Sequence, residues 1–233
     1  MQVGRLGNQI WEYVSVLVLA KITGREPFVP SCILQTISAV FKNVTALPLK
    51  YIEHCDIVIQ QPAQLPHYVI PHIEEVRHLL QFHDHLTEKS QEILRNSSKG
   101  LSKVVFVSVH VRRTDYIFTM WFNYARPLAT ANYFLRQMNY FRNKYSRVIF
   151  MILSDDPDWS ERELSADDTV VVKGNSPEQD LSLLASCNHS ILDYGTFGTW
   201  GALLAGGEAV LNNLNSLVEQ ELVKLMPNWH MET

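Results

Sequence analysis

Two adjacent arginines stand where a predicted strand ends. Arg112 and Arg113 follow a β-branched run at residues 104–109, a pattern typical of a strand buried on both faces. Guanidinium groups bind phosphate oxygens through paired hydrogen bonds, so the two arginines indicate an anion site. The neighbouring Asp115 is placed to orient one of them. The same cluster also fits a structural ion pair on a loop, and the residues alone leave both interpretations open.

A second polar cluster, Ser154, Asp155 and Asp156, follows the apolar run at residues 147–153. Paired carboxylates can bind a divalent cation or a ribose, or act as a general base. The cluster is also an ordinary helix start, because Pro157 suits the first helical position. The residue types favour the helix start without excluding a site.

Two further predicted helices each begin at a glycine-containing turn. These turns are residues 4–9 (Gly-Arg-Leu-Gly-Asn-Gln) and residues 193–202 (Asp-Tyr-Gly-Thr-Phe-Gly-Thr-Trp-Gly-Ala). The N–H groups and the positive dipole end of a helix N-terminus attract anions, although small residues also simply permit close packing. Asp180, inside the preceding predicted helix, is a candidate for pairing with a guanine edge, although most aspartates on helices are simply solvated. Together these elements suggest an anionic nucleotide held between two domains, with arginines as counter-ions.

The elements that position these clusters alternate between strand and helix after residue 100. This alternation predicts an α/β fold with a parallel sheet covered by helices on both faces. The polar stretch at residues 96–100 is typical of a linker, so we expect two domains, residues 1–100 and 101–233. In such sheets ligands bind beyond the carboxyl ends of the strands, and three of the four polar clusters fall at such positions.

The composition excludes several classes of protein. A chain of 233 residues with 46% hydrophobic residues can bury one large core or two small ones. The net charge of −4 disfavours a nucleic-acid partner. The apolar run at residues 14–20 is too short to span a bilayer. The nine histidines and three cysteines show no metal-ligand spacing, so we expect no metal site.

Three motifs taken together resemble one family. They are residues 4–9, residues 110–116 (His-Val-Arg-Arg-Thr-Asp-Tyr), and residues 187–190 leading into residues 195–207. Their order and spacing are similar to those of the animal galactoside α-1,2-fucosyltransferases, glycosyltransferase family 11. The resemblance implies a two-lobed GT-B-like α/β fold with Rossmann-like parallel sheets. In it, residues 1–100 would form an incomplete N-terminal lobe on the acceptor side, and residues 101–233 the C-terminal lobe that binds GDP-fucose. The resemblance further implies transfer of L-fucose from GDP-fucose to the 2-hydroxyl of a terminal β-galactoside on a glycan, with inversion and with no metal or other cofactor.

The resemblance also implies which residues contact GDP-fucose. They come from both predicted lobes: Arg5, Asn8, Arg112, Arg113, Asp180, Thr196, Phe197 and Gly198. Arg112 resembles the arginine that holds the β-phosphate, and Asp180 the acidic residue that reads guanine. The turn at Thr196 and Phe197 resembles the one that meets the pyrophosphate and nucleoside. Arg5 and Asn8 resemble the contribution of the N-terminal lobe.

Catalytic roles are expected for Arg112, His110 and Asp115. Arg112 would stabilise the charge that builds on the β-phosphate as GDP departs. Asp115, His110 and Glu12 are candidates for a general base, and none is preferred. The alternatives are a catalytically silent GDP- or glycan-binding homologue and a fucosyltransferase of another linkage.

Family members carry a cytoplasmic tail, a membrane anchor and an opening strand ahead of the first glycine turn. Only three residues precede Gly4 here, so we expect that the first N-terminal strand is missing and that the anchor is absent from this chain. The resemblance implies a Golgi membrane protein with a lumenal catalytic domain. Among the N-glycosylation sequons, Asn43 and Asn96 are expected to be modified, and Asn188 is expected to be buried and unmodified.

Overall fold

The computed structural model describes residues 5–48, 63–213 and 216–232. Cys55, Gly4 and the three residues before it, on which the expectation about the opening strand depends, lie outside these ranges. The strands are β1 (Phe28–Val29), β2 (Leu47–Pro48), β3 (Val105–Val111), β4 (Val148–Ser154), β5 (Thr169–Val172), β6 (His189–Leu192), β7 (Ala209–Asn212) and β8 (Trp229–Glu232).

The helices alternate with these strands over most of the chain. They are α1 (Leu6–Thr23), α2 (Ser31–Val40), α3 (Pro66–Val69), α4 (Ile73–Leu79), α5 (Asp84–Ser97), α6 (Tyr116–Thr119), α7 (Ala131–Lys144), α8 (Pro157–Leu164), α9 (Pro177–Ala185), α10 (Thr196–Ala205) and α11 (Leu217–Leu225). A 3-10 turn at Ile70–His72 follows α3, and a π-helical turn at Met120–Tyr124 follows α6.

Six parallel strands form the main sheet in the order β5-β4-β3-β6-β7-β8. The first strand to enter this sheet, β3, lies in its middle. The next two, β4 and β5, add on one side of β3, and β6 then pairs with the other side of β3. This is the doubly wound order, and its direction reverses between β3 and β6. The structure therefore confirms the predicted α/β fold with a Rossmann-like parallel sheet. The described part of the N-terminal region adds a parallel pair, β1 and β2.

The main sheet is buried on both faces, as the β-branched runs predicted. Along β4, Phe150 and Ile152 pack in the cluster that contains α7, whereas Met151 and Leu153 pack with Leu183 of α9 on the opposite face. This alternation follows from the two-residue period of a strand. Because helices cover both faces of the sheet, a ligand can reach it at the ends of its strands.

Helix α1 packs directly against the second half of the chain. Its Trp11 ring lies 4.8 Å from the ring of Trp200 in α10, and both side chains are fully buried. The helix ends at Gly24, whose φ of 64° provides the left-handed cap. Helix α5 packs against α9 through a buried hydrogen bond between the hydroxyls of Ser90 and Ser182. The division into domains 1–100 and 101–233 stays a prediction.

The predicted linker at residues 96–100 overlaps the end of α5. Asn96 and Ser97 are still helical, because Leu86, Ser90, Leu94 and Ser97 line one buried face of α5. A helix with such a buried stripe continues as long as the stripe does. Helix α11 and strand β8, which follow β7, were not predicted from the sequence.

The expectation that Asn188 is buried is wrong. Asn188 lies in the exposed connection between α9 and β6, at the amino-terminal edge of the sheet. Its side-chain oxygen accepts a hydrogen bond of 2.9 Å from the Phe106 N–H, so the amide caps β3 while remaining in contact with solvent. Asn43 and Asn96 are also exposed. Modification of Asn43 and Asn96 stays a prediction, as does the absence of modification at Asn188. Within the described ranges, no helix combines the length and apolar character needed to cross a bilayer.

The contact between α1 and α10 requires a glycine at residue 7. A Cβ atom there would lie 2.6 Å from the backbone nitrogen of Phe197. We expect Gly7→Ala to lower the free energy of unfolding by about 1–3 kcal/mol, the usual cost of overpacking. Urea denaturation measures this loss.

The control is Gly24→Ala at the other end of α1, where an added Cβ meets nothing within 4 Å. Its cost is left-handed backbone strain alone, about 1 kcal/mol. At residue 7, which lies inside α1, alanine without a steric conflict would favour the helix over glycine by about 1 kcal/mol. A Gly7→Ala variant as stable as the unsubstituted chain, or more stable, contradicts the contact.

Candidate active site

The candidate site lies at the carboxyl ends of β3 and β6, where the winding direction of the sheet reverses. Arg112 follows the last residue of β3, and Asp193 follows the last residue of β6. Crevices at such reversal points are the usual ligand sites of doubly wound sheets. The strand order thus brings together two motifs that are 81 residues apart.

Asp193 is the buried centre of this site, with 1% of its surface exposed. Its Oδ1 accepts a hydrogen bond of 2.7 Å from the Tyr194 N–H and lies 3.1 Å from His110 Nδ1. Its Oδ2 accepts from the backbone N–H of Arg112. Burial raises the pKa of the Asp193 carboxyl, and the His110 imidazole opposes that rise. Asp193 therefore ties the ends of β3 and β6 together and fixes the backbone from which Arg112 projects.

The Arg112 side chain is held by carboxylates. Its Nε lies 2.8 Å from Asp115 Oδ1 and 3.4 Å from Asp155 Oδ2. Asp115 also contacts Arg5, with 3.0 Å between its Oδ2 and the guanidinium, so it joins the loop after β3 to the residue before α1. These ion pairs restrict Arg112 to a narrow range of directions, which is what a preorganised anion ligand requires.

Asp155 stabilises the loop that carries the arginines. Its carboxylate accepts hydrogen bonds from the backbone N–H groups of Arg113 at 2.8 Å and Thr114 at 3.1 Å, and from the Thr114 hydroxyl. Asp156 caps α8 by accepting from the Trp159 N–H at 3.1 Å, which confirms the helix-start interpretation. Across the described residues, no group of three or more His, Cys, Asp or Glu side chains is arranged to hold a metal ion.

Two helix N-termini meet beside these residues. The Thr196 hydroxyl, at the start of α10, donates a 2.8 Å hydrogen bond to Asn8 Oδ1 in the first turn of α1. The residues that precede the two helices, Arg5 and Gly195, form no side-chain cap. The uncapped N–H groups and the positive dipole ends of both helices thus lie together, and this arrangement favours a bound anion.

His110 and Phe197 form the wall of the site on the α10 side. Their ring centroids are 5.8 Å apart. Gly198 permits this approach, because a Cβ there would lie 2.8 Å from His110 Nδ1. Burial raises the pKa of Asp180 on α9, and the nearby His110 acts in the opposite direction. The structure therefore brings His110, Asp180, Phe197 and Gly198 to one place.

The guanidinium of Arg113 points away from that of Arg112. It stacks over the indole of Trp159 with 3.8 Å between its central carbon and the ring centroid. Its NH1 donates to the Ala129 carbonyl at 3.5 Å, and its Nε lies 3.6 Å from Asp156 Oδ2. The Arg113 backbone therefore lies beside Arg112, but its guanidinium does not. A contact between the Arg113 side chain and GDP-fucose stays a prediction.

Sequence reasoning missed several residues of the site. Tyr116 and Tyr194 stack in parallel at 5.2 Å, and Tyr116 also lies 6.0 Å from the Arg112 guanidinium. The roles of Asp193 and Asp155 were missed as well, although both directly follow the end of a strand. Their position after a strand could have indicated a role in the site, because residues that follow the strands of a parallel sheet lie close together at one end of it.

Glu219 is a further carboxyl near Asp193 that the sequence analysis missed. It follows Ser216 by three residues, a capping-box spacing, and Ser216 Oγ accepts from the Glu219 N–H at 3.3 Å. Its Oε2 is buried and has no hydrogen-bond partner among the described residues. Burial and the charge of Asp193 raise the pKa of Glu219 to about 7.

The raised pKa of Glu219 predicts a pH-dependent stability. Because the folded-state value lies above the ordinary 4.5, the folded chain holds a proton that the unfolded chain releases between about pH 4.5 and 7. The contribution of this group to stability therefore falls as the pH rises through that window. Between pH 5 and pH 8, we expect Glu219→Gln to gain about 2–3 kcal/mol of unfolding free energy relative to the unsubstituted chain.

Urea denaturation at the two pH values measures the gain. The control is Glu92→Gln, the same change on the exposed face of α5, which should show a smaller pH-dependent difference. Equal differences for the two variants contradict the buried environment of Glu219.

Comparisons with known proteins identify the family of this chain. The family model "Glycosyl transferase family 11" matches residues 49–232. Galactoside 2-alpha-L-fucosyltransferase Sec1 of Mus musculus is 32% identical to this chain. The aligned region covers 89% of this chain and 64% of the length of that protein. Galactoside alpha-(1,2)-fucosyltransferase 2 of Pongo pygmaeus is 30% identical over 97% of this chain and 76% of its own length.

A solved structure supports the fold. The fucosyltransferase NodZ from Bradyrhizobium superposes with a TM-score of 0.54 at 13% identity, covering 85% of this chain and 88% of that one. Such a distant likeness concerns the architecture alone. The family match spans most of the sequence and includes the strand ends that build the site, and so this chain belongs to glycosyl transferase family 11.

Proposed function

We propose that this chain transfers L-fucose from GDP-fucose to the 2-hydroxyl of a terminal β-galactoside. The proposal is supported by the family and by the names of its relatives, which are galactoside α-1,2-fucosyltransferases. The observation that carries it is the arrangement of Arg112, oriented by Asp115 and Asp155, beside the uncapped N-termini of α1 and α10. This arrangement suits a ligand with two adjacent phosphates.

The proposed reaction breaks the bond between fucose C1 and a β-phosphate oxygen, and the electron pair leaves with GDP. The acceptor 2-hydroxyl forms the new bond from the opposite face, which inverts the configuration at C1, and its proton passes to a base. Negative charge develops on the β-phosphate, and fixed positive groups stabilise it most strongly in the transition state. In this proposal Arg112 and the two helix ends supply that positive charge, so no divalent cation is required.

The other expected catalytic residues act mainly by positioning in this scheme. Asp115 lies between two guanidinium groups, which suits it to orient Arg112 rather than to remove a proton. The Nδ1 of His110 is engaged by Asp193, which fixes the imidazole against Phe197. Holding both substrates in a reactive geometry contributes to the rate independently of any base.

The proposed location is the lumen of the Golgi. It rests on the resemblance of the chain to its family. The sequons at Asn43 and Asn96 support it, because both asparagines are exposed. Glycopeptide mapping of the chain expressed in a secretory pathway tests this part of the proposal.

The central test of the function is removal of one guanidinium. We expect Arg112→Ala to lower fucose transfer from GDP-fucose to lactose by at least about 100-fold, because a transition-state ligand is lost. Release of GDP and formation of the fucosylated product are both measured.

The matched control is Arg147→Ala, the same change at the amino-terminal edge of the sheet, where the guanidinium bonds the Ser102 carbonyl. It should leave transfer within about twofold. Near-normal transfer by Arg112→Ala removes Arg112 from the reaction. Tight GDP binding by the unsubstituted chain without any turnover favours instead a silent nucleotide-binding homologue.

A further inference from the structure

The turn that follows the arginine loop is apolar on both its inner and its outer face. It consists of α6 and the π-helical turn after it, residues 116–124. The inner face packs on the sheet, where Met120 is 1% exposed and Tyr116 stacks on Tyr194. A helical segment on the surface of a globular protein normally has a polar outer face. The apolar outer face of this turn therefore indicates a binding surface.

Four large side chains form this outer face, and we call them the aromatic patch. Ile117 is 54% exposed, Phe118 is 70%, Trp121 is 69% and Phe122 is 77% exposed. The rings of Phe118 and Phe122 stack with 6.4 Å between their centroids. Residues four apart on a helical segment are neighbours, so Ile117 and Trp121 also lie side by side. Side chains this exposed touch little of their own chain and project into solvent.

The aromatic patch is large enough to bind a partner but small for a stable dimer. An aromatic side chain can bury about 150–250 Å², so at these exposures the patch offers an area on the order of 500 Å². Apolar patches of about 300–600 Å² are often functional in monomeric proteins. A stable interface between two copies of a chain buries about 800 Å² on each copy. The area therefore disfavours a second copy as the occupant.

The aromatic patch also lacks the polar groups that a protein partner uses. No residue from 116 to 125 is charged, and the indole N–H of Trp121 is the only side-chain donor among the four patch residues. Protein interfaces form about one hydrogen bond per 100–200 Å² and have a polar rim. A lipid bilayer accepts an uncharged aromatic surface without such bonds. Its interfacial region favours Trp in particular, because the ring is apolar and the N–H can bond a headgroup.

The charged groups beside the aromatic patch balance. An open cavity of about 610 Å³ is lined by the base of the turn and by α8. Arg113 and Arg126 on its wall are offset by Glu163 and by Asp156, whose Oδ2 lies 3.6 Å from Arg113 Nε. Attraction to anionic lipids depends on clustered, unopposed Lys and Arg side chains. The lipid that fits this surface is therefore zwitterionic, such as phosphatidylcholine.

We propose that the aromatic patch inserts into the interfacial region of a zwitterionic lipid bilayer and docks the folded chain on the membrane surface. The turn leaves the sheet beyond the carboxyl end of β3, which is also where Arg112 lies. Docking therefore turns this end of the sheet toward the membrane. The contact is additional to the anchor that the resemblance implies. It is independent of the proposed function, because it depends on the exposed apolar area alone.

Binding to phosphatidylcholine vesicles, measured by flotation, tests the proposal. We expect the double variant Phe118→Ser with Phe122→Ser to lower the partition coefficient at least about tenfold, because two projecting rings are lost. The matched control combines Ile22→Ser with Leu101→Ser, which removes two side chains that are each 52% exposed and lie outside the turn. The control should bind within about twofold of the unsubstituted chain. Both double variants should keep the urea midpoint of the unsubstituted chain.

Tryptophan fluorescence reports the insertion without any loss of binding. Trp121 is exposed, whereas the other four tryptophans are buried or partly buried: Trp11, Trp159, Trp200 and Trp229. Phosphatidylcholine with brominated acyl chains quenches an indole that enters the bilayer. We therefore expect quenching in the unsubstituted chain, and we expect Trp121→Phe to remain bound while losing most of that quenching.

Vesicle binding that the double phenylalanine variant retains overturns the proposal, as does emission that brominated lipid leaves unquenched. Binding that requires phosphatidylserine and disappears at high salt overturns it too, because charge then holds the chain. So does the absence of binding by the unsubstituted chain. In that case, self-association in sedimentation equilibrium that the double phenylalanine variant abolishes identifies a second copy as the occupant.

Discussion

The carboxylate of Asp193 joins the ends of two neighbouring strands, since it contacts His110 at the end of β3 and the backbone N–H of Arg112 just beyond it. A buried charge is costly unless several donors satisfy it, and here the Tyr194 N–H adds a third. The arrangement stands at the reversal point of the sheet. It therefore determines where the arginine loop leaves the sheet, and the ion pairs of Arg112 and the position of the cavity both follow from it.

The remainder of the fold brings positive helix ends to this point. Gly7 allows α1 to touch the start of α10, and Gly198 allows α10 to lie against His110. The hydrogen bond between Asn8 and Thr196 then holds the two N-termini together. An anion site of this kind needs few charged residues, because backbone N–H groups provide much of the field. A chain with a net charge of −4 can therefore still contain an anion site.

The architecture and the general location of the site could be predicted from sequence, because both depend on local patterns. β-branched runs indicated the strands, and three of the polar clusters followed predicted strands, so the end of the sheet that carries the site was predictable. Pairings between distant residues were not. Asp155 bonds Arg113 across 42 residues, and no local pattern distinguishes that role from the helix start at Asp156. The direction of the Arg113 side chain depends on Trp159, and the exposure of Asn188 depends on how β6 enters the sheet.

The most direct test of this account compares the affinities of GDP and GMP by isothermal titration calorimetry, in the unsubstituted chain and in Asp193→Asn. The two ligands differ by the β-phosphate that Arg112 is proposed to hold. Asparagine keeps the size of the side chain but loses the charge that fixes the Arg112 backbone. We predict that the preference for GDP over GMP falls at least about tenfold, or 1.4 kcal/mol, while the affinity for GMP stays within about threefold. An unchanged preference for GDP in the variant would contradict the central role of Asp193.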